Sequence, residues 1–399
     1  MHRQTLVARI ALLFAGVFGV SALLAPDATA LPTLPFGTPT YTVQVNRPGG
    51  APGYIFYTSG LAAAVPFTVG GPGLDQFGQA NIIVDKSGKE VWRYVPPKGQ
   101  SVSNFRTQVY QGRKVLTWWQ GGGGGGHGEG VNYITDTRGR LITTVTPGRL
   151  KSDVHEFRLT PDGRALITSY VPIAADLSSV GGPRNGTILD CVATVIDVAT
   201  KRVVLQWSSH AHIPVSETAL RYGDPRNAVL GSTFDPYHMN SIVLDPSGNL
   251  LFSFRNLSAI YNVDIRSGKV NWLLGGKHSD LKLGAGVATH GQHDAEYAGP
   301  NTIRVFDNNI TGTQQLGTSS IKWIRLDLQR RTAHLVRAQR HPAGLSAAAT
   351  GNAQGLSNGN TFGSWGTAPH ISEFSPSGQL VYDATLPIGT YRAYLDTWP

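Results

Sequence analysis

The sequence predicts an all-β protein and, within that class, a six-bladed β-propeller, with five or seven blades as the neighbouring counts. Three observations carry the prediction. Gly and Pro, 48 and 24 of the 399 residues, interrupt nearly every window long enough to show a helical period. The apolar runs between them are short and β-branched, as the residues of half-buried strands are. One phrase then recurs along the chain: an apolar strand, a polar turn rich in Asp and Gly, and a second alternating strand. That phrase is the signature of a β-hairpin.

Copies of it stand at 82–95 (IIVDKSGKEVWRYV), 133–145, 157–170, 195–207, 241–254, 261–274, 323–336 and 373–386. Hairpins repeated over a whole chain must hide their open edges, and radial repetition of four-stranded sheets does this. At ~40 to 60 residues per blade with loops, the chain beyond residue 30 suits six blades. A pair of β-sandwiches is the competing arrangement, because the hairpin intervals are uneven.

Taken in order, the first thirty residues differ from everything after them. Arg3 and Arg9 lead into the uncharged run 10–25, and the small residues Ala28, Thr29 and Ala30 follow. This is the pattern of a secretory signal peptide, 1–30, with an A-x-A cleavage site, and the run is short for a bilayer span. Loss of Arg3, Arg9 and Asp27 takes the net charge from +9 to +8. The expected mature chain is secreted, cell-surface or periplasmic, with no stable membrane insertion after cleavage. Residues 31–80, rich in Pro and Gly, read as an entry segment joining the first blade, and 81–399 as the propeller catalytic domain. Two stretches break the hairpin rhythm: the glycines Gly121 to Gly126 before His127, and the Gly/Ala/Ser/Asn-rich connection 342–370. Glycine backbone is costly to order unless it lies close against something, so the run reads either as a loop over the central face or as a mobile surface loop.

Composition excludes several classes. A chain 41% hydrophobic is not a disordered polymer. The single cysteine, Cys191, can close no intramolecular disulfide and build no thiolate cage, and is expected as a small buried apolar side chain. Lys and Arg are scattered, with no run longer than Arg330-Arg331, so the positive balance reads as a solvated basic surface rather than a nucleic-acid footprint.

Of the twelve histidines, His210 and His212 sit in a polar loop, and His278, His334 and His341 have surface-like neighbours. His155, His238 and His293 instead stand where strands begin, the position a propeller aims at its central channel. Arg255 ends an apolar strand, and its guanidinium there must find an acceptor or reach water. One Arg among several His can grip a phosphoryl, sulfuryl or carboxylate group. Three His with Asp294 or Glu156 could also hold a metal for hydrolysis, although Gly291 between His290 and His293 argues against a helical metal pair.

The segments HMNSI at 238–242, SFR at 253–255, SAIYNVDIRSGKVNWLLGG at 258–276, GQHD at 291–294 and FDNN at 306–309, with GNTFGSWGTAPHISEFSPSGQLVYD at 359–383, resemble the arylsulfate sulfotransferase family. The likeness covers most of the chain after about residue 50. It implies a six-bladed propeller that moves a sulfuryl group from an aryl sulfate donor to a phenolic acceptor without a nucleotide sulfate donor or another cofactor. By the Q-H-D motif, His293 matches the nucleophile that becomes a sulfohistidine. By the H-E-F, H-x-N-S and S-x-R motifs, His155, His238 and Arg255 match the groups that hold the sulfate oxygens. Asn240 is a candidate substrate contact or loop-fixing residue, and Asp294 would orient the nucleophile's ring or face solvent. Trp118, Trp119 and Tyr297 are candidates for stacking on an aryl ring. The well-known bacterial members carry an additional N-terminal β-domain used in dimer formation and a cysteine pair. This chain has little room for the first and cannot have the second, so their dimer is not carried over and the oligomeric state is left open. A non-catalytic propeller that binds a sulfated or phenolic ligand or a cell-wall polymer is the alternative function.

Overall fold

The computed structural model describes residues 41–60, 79–124, 126–224 and 233–398, and the expected signal peptide lies outside them. The described chain is nearly all strand, with two single-turn 3-10 segments. Six sheets follow one another around a ring as antiparallel meanders. Blade 2 uses residues 101–145, blade 3 157–208, blade 4 239–275, blade 5 293–339 and blade 6 354–385. Blade 1 is shared between the ends of the chain: Ala393–Asp396 is its innermost strand and pairs with Tyr54–Ser59. Thr42–Asn46 in turn adds an outer strand to blade 6 against Leu380–Thr385. Both ends therefore lock the ring shut, and part of the entry segment 31–80 already belongs to two blades.

Each of the eight repeated phrases is a hairpin within one blade. In six of them the turn is built by the Asp that ends the first strand, and in 157–170 and 373–386 Thr160 and Ser375 take its place. Asp245 Oδ1, for example, accepts the amides of Ser247 and Asn249 at 2.8 and 2.9 Å, and Gly248 takes φ +85°. A side chain there would meet the steric cost of the left-handed region, which is why glycine closes the phrase.

The core lies between blades rather than within them. Blades 3 and 4 are joined by Leu166, Ile188, Trp207, Phe252 and Phe254, and blades 4 and 5 by Val243, Leu251, Ile260, Ile303 and Ile324. Each such side chain removed from water contributes on the order of 1.5–3 kcal/mol. Cys191 is buried in the first of these clusters, as expected.

The two stretches that interrupted the rhythm are also sheet. The connection 342–370 contains Gln354–Gly355 and Thr361–Ser364, the inner half of blade 6. Most of the glycine run is strand: Gly121 to Gly124 extend the strand Arg113–Gly124 and pair with His127 to Gly130, and Gly126 lies in the turn between them. Close approach explains the composition. A Cβ on Gly121 would lie 2.3 Å from the Glu129 carbonyl oxygen, and one on Gly123 2.2 Å from that of His127.

Candidate active site

His155 lies two residues before the strand Phe157–Leu159, His238 directly before Met239–Leu244, and His293 opens His293–Tyr297. These are the innermost strands of blades 3, 4 and 5, so three successive blades each present a histidine at the same end of the central channel. All three rings are buried, and the centroids of His155 and His238 are 4.8 Å apart at 85°. His238 holds a left-handed φ of +56°, stabilised by Asp235 Oδ1, which accepts its amide at 3.0 Å.

Two of the histidines stand on carboxylates. Nδ1 of His155 is hydrogen-bonded to Asp153, and Nδ1 of His238 to Asp235 at 2.5 Å. Each ring thus keeps Nε2 turned away from its carboxylate. Burial drives the His238 pKa down to about 4 against the pull of Asp235. Both aspartates are fully buried, which would raise them, yet the neighbouring rings and hydrogen bonds hold Asp153 low and Asp235 far below the usual carboxylate range.

His293 has no carboxylate on its ring. Nδ1 lies 2.7 Å from Asn308 Oδ1, while Nδ2 of the same amide donates to the carbonyls of Ala347 and Thr350. Oδ1 is therefore an acceptor, Nδ1 carries the proton, and Nε2 is left with its lone pair. The Thr350 amide points at Nε2 from 3.3 Å. Burial, followed by the charge of Arg255 and those of His238 and His155, holds this imidazole well below its ordinary pKa. It is a neutral base whose Nε2 lone pair meets only the long bond from the Thr350 amide.

Arg255 is buried beside it. Its backbone amide bonds the His238 carbonyl at 2.9 Å, and its guanidinium donates to Asn256 Oδ1 and to the carbonyl of Gly312. Among the described residues it has no carboxylate within ion-pair distance. A buried guanidinium hydrogen-bonded only to neutral acceptors is prepared for an anion.

A fourth histidine arrives on the glycine hairpin. His127 Nε2 is 3.0 Å from Asp235 Oδ2, the oxygen that also holds His238. Its ring lies 5.1 Å from His238 and 4.4 Å from Tyr170, and the next amide, Gly128, donates to Asp153 at 2.8 Å. The hairpin is thereby bolted to both carboxylates that orient the site histidines. His127, Asp235 and His238 also bring metal-ligand atoms within 4.8 Å of one another. Those atoms are already committed to each other, because one carboxylate oxygen bonds both rings.

Residues 106–386, more than half of the chain, match the arylsulfotransferase (ASST) family. The chain belongs to that family. No curated protein matches the arylsulfotransferase chain at a significant level. Among solved structures it is similar to a protein of unknown function from Bacteroides caccae, at 13% identity over 84% of this chain and 93% of that one, with a TM-score of 0.46. TolB from Acinetobacter baumannii follows at 12% identity, 85% and 66% coverage and TM-score 0.43. A catalytically inactive virginiamycin B lyase from Staphylococcus aureus stands at 11%, 86% and 88%, and 0.41. None of the three bears on what the arylsulfotransferase chain does.

The structure brings His155, His238, His293 and Arg255 of this arylsulfotransferase to one end of the channel, and leaves other expected residues elsewhere. Trp118 is 2% exposed, stacked on Tyr133 at 5.3 Å, and Trp119 is 1% exposed with Nε1 on the Ser152 carbonyl. Both rings are core, so neither offers a face to an aryl group. Tyr297 lies four residues along the strand from His293, roughly 13 Å at strand spacing, and packs into the core between blades 4 and 5. Asn240 spends its amide nitrogen on the Gln292 carbonyl at 2.7 Å, which fixes the residue before His293. Asp294 neither orients a ring nor faces solvent. It is buried, accepts the Ala353 amide at 3.1 Å and leaves the orienting role to Asn308. His341, expected at the surface, is 5% exposed and paired with Asp383.

Sequence reasoning missed His127, Asp153, Asp235 and Asn308 as functional groups. An aspartate two or three residues before a strand-opening histidine (D-x-H at 153–155, D-x-x-H at 235–238) was a legible signal for the two carboxylates.

Proposed function

We propose that the protein is a secreted aryl sulfotransferase. It moves a sulfuryl group from an aryl sulfate to a phenolic acceptor through a sulfohistidine on His293, without a nucleotide sulfate donor. One observation carries the reading: a neutral imidazole, its Nδ1 proton given to Asn308, stands beside a buried Arg255 that lacks a carboxylate partner. The charged, apolar and then small-residue order of the first thirty residues supports secretion.

In the first half-reaction the Nε2 lone pair of His293 attacks sulfur in line. The N–S bond forms as the S–O bond to the aryl group breaks, and the electron pair leaves with the phenolate. In the second, a phenol oxygen attacks the same sulfur, the S–N bond breaks, and the phenolic proton passes to a base or to water. Splitting the transfer in this way is covalent catalysis by an activated nucleophile. Sulfuryl transfer resembles phosphoryl transfer in spreading charge over peripheral oxygens, so fixed donors supply most of the acceleration. Arg255 provides such a donor; His155 and His238, whose Nδ1 protons go to Asp153 and Asp235, offer one at Nε2 only when the ring takes up a second proton. The Thr350 amide stands next to the attacking atom, and the hydroxyl of the same residue is buried without a hydrogen-bond partner.

Purified protein incubated with p-nitrophenyl sulfate is expected to release p-nitrophenol beyond the single equivalent that forms the adduct only when a phenol is present, and His293→Ala to abolish the release. Full turnover by that variant removes His293 from the nucleophile's role. A tight complex with no covalent transfer favours a binding propeller instead.

A further inference from the structure

Beneath the histidines lies a buried guanidinium that belongs to none of their blades. Arg392, 1% exposed, immediately precedes Ala393–Asp396, the strand that closes the ring as the innermost strand of blade 1. It also lies beyond residue 386, where the family match ends. Its Nη1 donates to Glu156 Oε2 at 3.0 Å, its Nη2 donates to the Asn240 carbonyl at 2.8 Å, and its Nε faces Asp294 Oδ1 at 3.6 Å. Each partner is a near neighbour in sequence of a site histidine. Glu156 follows His155, Asn240 stands two residues after His238, and Asp294 follows His293.

We infer that Arg392 is a positioning residue for the sulfuryl-transfer site: one guanidinium, delivered by the closing strand, sets the chain beside each of three histidines from three different blades. The inference rests on the sulfotransferase reading above. Burial keeps Arg392 from touching a substrate, so its effect must pass through the two carboxylates and the one carbonyl it faces. Neighbouring contacts repeat the arrangement. The Tyr391 hydroxyl reaches the same Asn240 carbonyl at 3.3 Å, and Asn352 bonds both the amide and the carbonyl of Ala393.

The fork matters as well as the charge. Glu156 is also held by Arg106 at 2.9 Å, so a cation at position 392 is not its sole counter-charge. A lysine there keeps a point charge for Glu156, but it cannot also hold the Asn240 carbonyl and face Asp294 in fixed directions. Site geometry then loosens while the buried carboxylate stays paired. A misplacement of about 1 Å at a reacting group costs on the order of a hundredfold in rate.

The test compares full-length wild type, Arg392→Lys and Asp294→Asn in p-nitrophenyl sulfate turnover, with Tm and the mass-mapped sulfuryl adduct as further readouts. Arg392→Lys is expected to lose about a hundredfold in kcat, with KM for the donor little changed, Tm close to wild type and the adduct still on His293. Asp294→Asn, which keeps its shape and its acceptor for Ala353, is expected to show the same split with a smaller loss. If Arg392→Lys does not fold, Asp294→Asn decides the matter alone. Wild-type kcat in the folded Arg392→Lys protein overturns the inference, as does wild-type kcat in Asp294→Asn where that variant decides alone, or a loss of kcat that merely tracks Tm. A wild-type protein without turnover fails the sulfotransferase reading itself and takes the inference with it. A turning-over wild type beside a fully active Arg392→Lys fails the inference alone.

Discussion

Asn308 and His293 are joined by a 2.7 Å hydrogen bond whose direction is set from the far end of the amide, where Nδ2 donates to two carbonyls. The bond fixes the tautomer of His293 and hence which nitrogen keeps a lone pair. Asn308→Leu removes the orienting acceptor without adding charge. It is expected to lower kcat about tenfold, the worth of one buried hydrogen bond of ~1.4 kcal/mol. Steady-state turnover of p-nitrophenyl sulfate checks this, and an unchanged kcat would free the ring from Asn308.

The acid side of the pH profile follows from the same ring. Burial and Arg255 hold His293 below its ordinary value, so the acid limb of kcat/KM is expected below the ~6.5 of a free imidazole. Asn308→Asp puts a carboxylate on Nδ1, which favours the imidazolium and moves that limb upward. Profiles of the two proteins measured side by side give the sign of the difference directly.

Stability should fall over a related window. His238 sits at about 4 in the folded protein, and an unfolded histidine titrates near ~6.5. Between those values the unfolded chain binds more protons than the folded one, so stability rises with pH. Tm is therefore expected to drop as pH is lowered from about 6.5 toward 4. A flat Tm over that interval would contradict a neutral buried His238.

Much of this was legible before any coordinates. The hairpin phrase marks blades because its Asp and Gly build the turn from local chemistry, and His155, His238 and His293 stand out because a polar residue opening an apolar strand needs a reason. Trp118 and Trp119 were misleading, since a tryptophan in a strand is chosen equally well by a core and by a ligand, and only packing on Tyr133 and Ser152 decides. Arg392 carried no local signal at all. Its partners come from blades 3, 4 and 5, and a contact set by ring closure has no imprint on neighbouring residues.

The glycine hairpin makes an alternating prediction. A Cβ at Gly121 or Gly123 would collide with backbone across the hairpin, whereas Gly122 and Gly124 have nothing within 4 Å. Gly121→Ala and Gly123→Ala are expected to displace His127 from Asp235 and to lower kcat/KM about tenfold or more. Gly122→Ala and Gly124→Ala should behave as wild type. Equal behaviour of all four variants would detach the hairpin from the site.

Metal removal offers a further check. No step of the proposed transfer draws on a metal, and in the His127, Asp235 and His238 group one carboxylate oxygen already bonds both rings. Turnover is expected to survive exhaustive chelation, with elemental analysis confirming removal. Loss on chelation and recovery with a divalent ion would return the metal-hydrolase reading.

The most direct measurement is the location of the covalent intermediate. Protein mixed with p-nitrophenyl sulfate in the absence of acceptor, quenched rapidly without acid and digested, should carry one sulfuryl group on the peptide containing His293, and a phenol added before quenching should discharge it. An adduct on another residue, or turnover with none, would contradict the account.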